Sequence, residues 1–149
     1  MRIGDVSRVT GITIAKLSRW LDRETLTPSH NDKLTRGTGD YRTFCRATIN
    51  KIAIAEKLIE LNIGPGPANI AAAHFTDFGN DNRAANELYK FDRTILIHTE
   101  GRTSIRNLDS DAPLSLVFGR SFQPATILDI GQIIKAVDEA IISNRKINK

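Results

Sequence analysis

A chain of 149 residues is long enough for one domain, or for a small head and a small tail, each with a modest core. With 40% hydrophobic and 26% charged residues the composition excludes wholesale disorder, and no apolar stretch approaches the ~20 residues of a membrane span. The net charge of +4 is unevenly spread: residues 1–55 hold ten Lys/Arg against five Asp/Glu, and residues 56–149 hold eleven against twelve.

In chain order, Ile3, Val6 and Val9 recur at helical spacing and predict a first short helix. Thr10-Gly11-Ile12 breaks it, with Gly11 supplying the left-handed conformation of a tight turn between helices. Thr13 is placed as N-cap of a second helix whose buried stripe is Ile14, Leu17, Trp20 and Leu21. Trp20 reads as core rather than as a base-stacking platform. Ala15, Lys16, Ser18 and Arg19 are left facing outward, short and basic side chains near the N-terminal end of the helix. Leu26-Thr27-Pro28 predicts a short extended piece that its proline confines to an edge or an end. Residues 29–39 are polar and rich in turn formers, with Lys33 and Arg36 near the tip, and read as a hairpin wing that returns through Tyr41-Arg42-Thr43-Phe44. A third helix runs roughly from Arg46 to Leu61 and is apolar around so much of its girth that it must be largely buried. Gly64-Pro65-Gly66-Pro67 stops it, and Pro67 suits the first turn of a fourth helix, Pro67 to Phe75.

Thr76 to Asn82 then reads as a turn-rich linker, and Arg83 to Lys90 predicts about two helical turns. Thr94 to Thr99 and Thr103 to Leu108 flank Glu100-Gly101-Arg102, the composition of a tight hairpin. Asp111-Ala112-Pro113 looks like the cap and first turn of a short helix, Leu114 to Phe118, and Ala125 to Leu128 is a candidate third strand. The final helix, Ile130 to about Ser143, carries Ile130, Ile133, Ile134, Val137, Ala140 and Ile141 on one apolar face. That face packs on the three strands or pairs with its copy in a second chain, and both can hold at once. The expected fold is α+β: a winged helix-turn-helix head over residues 1–76, a linker with a short helix over 77–93, and a small α/β dimerisation or interaction unit over 94–149.

Little in the chain points to catalysis or to a bound group. One cysteine, Cys45, cannot form an internal disulfide, and His30, His74 and His98 are scattered without zinc-ligand spacing, so no metal or other cofactor is expected. His98 with Glu100, and Asp109 with Asp111, are the only acid–base candidates, and no nucleophile, base and orienting group come together. The chain is therefore not expected to be an enzyme. Cys45 stands at the mouth of the third helix beside Arg46, a setting that favours a reactive thiol. A redox switch is one reading of it, and a half-buried thiol in a serine's place is the other.

The basic excess is concentrated: Lys16, Arg19, Arg23, Lys33, Arg36, Arg42 and Arg46 fall within thirty-one residues, a density that suits a polyanion. Ile3-Gly4-Asp5-Val6, Thr10-Gly11-Ile12-Thr13, Leu17-Ser18-Arg19-Trp20, Leu26-Thr27-Pro28 and Tyr41-Arg42-Thr43-Phe44 stand in an order and at separations that carry a family resemblance. Over residues 1 to about 75 the chain resembles the winged-helix DNA-binding domain of the MerR family of bacterial transcription regulators. The resemblance implies Thr13, Lys16 and Arg19 on the recognition-helix face, and Tyr41 and Arg42 on the wing positions that hold the DNA backbone. Ser18 and Arg19 occupy places where the family usually has arginine followed by tyrosine, and Glu24-Thr25 a place where Gly-Leu is usual. The long antiparallel helix through which these regulators dimerise is not legible here.

A resemblance of this kind implies a sequence-specific regulator of transcription, acting in the cytoplasm on double-stranded DNA. The thin core of the tail adds the expectation of a homodimer held by the C-terminal part, with the recognition helix in the major groove and Lys33, Arg36 and Arg42 on phosphates. Two other classes stay open: an architectural DNA-bending factor of the excisionase type, and a protein-interaction module that the head recruits to DNA.

Overall fold

The computed structural model describes residues 1–33, 42–109 and 124–147, and its fold is α+β. Helix α1 (Ile3–Thr10) ends at Gly11, whose φ of 72° lets its N–H reach back to the Ser7 carbonyl. Helix α2 (Ile14–Asp22) starts as expected from Thr13, whose hydroxyl accepts from the Lys16 N–H at 3.3 Å. Val6, Val9, Ile12, Leu17 and Trp20 are buried where the two helices meet. Ile14 does not join that stripe and is 49% exposed, because Ile12 fills the inward position at the turn and leaves Ile14 at the open end of α2.

Helix α3 (Arg46–Glu60) is buried at every position from Thr48 to Ala55, as its girth of apolar residues requires. The one long charged side chain in that run, Lys51, is held by Asp77 at 2.6 Å and by the Thr27 carbonyl at 3.1 Å. Helix α4 (Pro65–Thr76) begins two residues earlier than expected, since Pro65 and Pro67 both fit a first turn that has no use for their missing N–H groups. Asn62, at φ 66°, makes the left-handed exit from α3, so the proline–glycine stretch opens α4 rather than closing α3.

No helix forms over residues 83–90, against expectation. The chain there wraps around the buried guanidinium of Arg83, which donates to the carbonyls of Phe75, Phe78, Ala84 and Glu87 at 2.6–3.1 Å and lies over the Phe75 ring. These contacts satisfy the open carbonyl end of α4 and hold the following residues in turns, with Asn86 left-handed at φ 62°. Gly79 is required in this wrap, because a Cβ there would stand 2.8 Å from the Arg83 carbonyl oxygen.

Strands β1 (Arg93–Thr99), β2 (Arg102–Leu108) and β3 (Ala125–Asp129) form an antiparallel sheet in the order β2-β1-β3. The hairpin turns on Glu100-Gly101, and Leu96 pairs with Ile105 on one side and with Leu128 on the other. The expected short helix Leu114 to Phe118 lies outside the described residues.

Helix α5 (Ile130–Ile147) follows β3 directly, and the Asp129 carboxylate at its start accepts from the Gln132 N–H and from Arg93. Its buried residues Ile130, Val137 and Ile141 lie on β1, but also on α1 and α3. The apolar face expected to meet only strands or a second copy is thus used on the N-terminal helices of its own chain. Two polar contacts fix it there: Arg46 with Asp138 at 2.5 Å, and Asn144 with Asp5 at 3.4 Å. At roughly 1.5–3 kcal/mol per fully buried aliphatic side chain, three such residues contribute on the scale of a whole domain's net stability.

Candidate nucleic-acid interface

The outward side of α2 is set by its inward one. With Leu17 and Trp20 buried, Thr13, Ala15 and Arg19 are exposed, while Lys16 and Ser18 are half-buried on the flanks. Arg19 turns its Nε toward the Ala15 carbonyl at 3.4 Å and keeps the rest of its guanidinium outward. Lys16 is not a free cation. Its ammonium sits 2.7 and 2.8 Å from the two carboxylate oxygens of Glu56 on α3 and 5.5 Å from the centre of the Trp20 ring.

A groove of about 630 Å³ runs beside this helix, with Lys16, Arg19, Trp20 and Arg23 on one wall and Pro65, Gly66 and Ile70 at the start of α4 on the other. Arg23 counts in the basic excess of the sequence but is not among the expected contact residues. Its spacing of four from Arg19 was the available signal, since residues four apart share a helix face. The opposite wall had no signal, because α4 comes beside α2 only in the folded chain.

Most of the expected hairpin wing, residues 34–41, lies outside the described residues, and the two segments that flank it are tied together at several points. Lys33 and Thr43 exchange two backbone hydrogen bonds of 3.0 Å, and Thr43 also bridges to Arg2 at the mouth of α1. Phe44 and Met1 exchange two more at 2.7 Å, one of them from the N-terminal ammonium. Lys33 is exposed and Arg42 half-buried, one on each of these segments. Arg36 and Tyr41 lie outside the described residues. Among the described residues Arg19, Arg23, Lys33 and Arg42 form no ion pair, whereas Arg46 and Lys51, also among the ten Lys/Arg of residues 1–55, are paired with Asp138 and Asp77.

Cys45 precedes α3 but does not cap it through its side chain. Asp32 does that work from thirteen residues upstream: one carboxylate oxygen accepts the Cys45 N–H at 2.6 Å, and the other accepts the Thr48 hydroxyl at 2.6 Å and the Ser29 N–H at 2.9 Å. The Cys45 thiol is half-buried, 3.8 Å from the Thr48 hydroxyl oxygen. In the sheet, His98 meets only the Thr103 hydroxyl at 2.9 Å among the described residues, and Glu100 is exposed at the hairpin turn.

Among known proteins, no family model and no curated protein matches the chain.

Proposed function

We propose that this protein binds double-stranded DNA as a sequence-specific regulator of transcription, acting in the cytoplasm, with α2 in the major groove and the wing stem on the phosphate backbone. The observation that carries it is a set of cations with no ion pair among the described residues, Arg19 and Arg23 at α2 and Lys33 and Arg42 on the tied segments, while Lys16, Arg46 and Lys51 are each paired with a carboxylate. Thr13 at the N-terminus of α2 and Arg19 in its last turn, both exposed, supply short and long donors toward base edges. Arg42 supplies a forked donor for phosphate.

In a homodimer, two such heads read a repeated half-site, and their spacing follows the symmetry of the pair. The seam must then use a surface other than the apolar face of α5, since that face lies on the protein's own head. The same packing favours a second reading, an architectural factor that bends DNA as a single chain.

Selecting bound sequences from a random duplex pool tests both, because two half-sites at fixed spacing mark the dimer and one half-site marks the single chain. Arg42→Ala is expected to weaken binding to all sequences alike and to flatten the salt dependence by about one unit. If the purified protein selects no sequence and binds no duplex in a salt-dependent way, the proposal is wrong.

A further inference from the structure

Among the described residues, Lys16 alone of the basic groups on α2 has an acidic partner, and that partner comes from a different helix. Both side chains are sheltered, Lys16 at 32% and Glu56 at 20% exposure, so solvent and salt screen the pair less than one on an open surface. Trp20, itself buried, lies beside the ammonium and is fixed by the core. One cation of the proposed reading face is therefore neutralised by the protein, while Arg19 and Arg23 beside it have no ion pair among the described residues.

The geometry points to Glu56 as a specificity-determining residue for duplex DNA, an inference that rests on the DNA-binding function proposed above. Non-specific binding grows with the number of phosphates a protein neutralises. By holding Lys16 with both carboxylate oxygens, Glu56 removes one cation from that count. A duplex gains Lys16 only by presenting an acceptor placed well enough to replace both contacts. A poorly placed duplex gains nothing and meets a carboxylate that repels its phosphates. Glu56 thus weakens wrong sequences more than right ones, which is how discrimination is built against competitors.

The test is equilibrium binding of the full-length chain, at several salt concentrations, to a random-sequence duplex and to the best duplex from the selection. Glu56→Gln is expected to bind the random duplex about three- to tenfold more tightly, with a salt dependence steeper by about one unit. The ratio of selected to random affinity should fall by a similar factor. Adding Lys16→Ala to Glu56→Gln should abolish the gain. Glu56→Ala, with its fold checked by circular dichroism and thermal unfolding, should shift binding in the same direction as Glu56→Gln. A random-duplex affinity unchanged in E56Q, a gain that survives in the double variant, or opposite shifts in the two Glu56 variants would each overturn the assignment. Wild-type binding with an unchanged E56Q overturns the role of Glu56 alone, whereas no duplex binding by any variant overturns the DNA-binding function and this role with it.

Discussion

At the residue scale, some groups act on near neighbours and others on partners far along the chain. The Gly11 turn and the Thr13 cap act within four residues, so local chemistry announced both. The partners of Lys16 and of Cys45 come from Glu56 and Asp32, and no spacing in the sequence points to either. Asp5 is a third case, joining α1 to α5 through Asn144. Burial pushes its carboxyl up, but hydrogen bonds from Arg8, Asn144 and the Arg2 N–H outweigh that and hold it below its ordinary 3.8. Because the folded value lies below the unfolded one, the stability Asp5 contributes is complete above the ordinary value and is lost as pH falls through the lower, folded value. Urea unfolding followed from about pH 5 to about pH 2 should therefore show a steeper loss in the wild type than in Asp5→Asn. Parallel losses would mean that these contacts add nothing to stability.

At the scale of elements, periodicity identified α1 to α3, the hairpin and α5 to within a few residues, because each buries a face with a regular repeat. It failed over residues 83–90, where one side chain organises the backbone. Arg83 is 5% exposed and meets no carboxylate among the described residues; its charge is met by backbone carbonyls. Burial lowers its pKa, with Tyr89 opposing, yet an arginine stays protonated at neutral pH. Arg83→Met would keep much of the volume and strand several buried carbonyls, each costing about 1–3 kcal/mol when left unsatisfied. A loss of about 3 kcal/mol or more in urea unfolding is expected. Arg83→Lys should recover only part of it, since an ammonium has three donors and no planar fork. A Met variant as stable as the wild type would show that the wrap is held by something else.

At the scale of the whole molecule, the sequence divides by charge into a basic head and a near-neutral tail, but the apolar core does not divide at that boundary. The face of α5 was legible as a repeat of six apolar residues; its destination was not, because periodicity shows that a face must be covered without showing by what. Covering α1 and α3 with α5 makes the orientation of the proposed reading helix depend on the C-terminal helix. Unfolding should accordingly be one event. Trp20 is the only tryptophan and lies between α1 and the groove beside α2, so its fluorescence reports the head, while far-ultraviolet circular dichroism reports the whole chain. The two signals are expected to give one shared transition in urea. Ile141→Ala, far from Trp20 in sequence, leaves a cavity where α5 meets the rest of the core and should cost about 2–5 kcal/mol. That loss should move the Trp20 transition and the dichroism transition together. If the head and tail instead unfold separately, Ile141→Ala will shift only the dichroism and leave the Trp20 midpoint where it was. In that outcome the face of α5 is free to leave the head and to serve as the seam of a dimer.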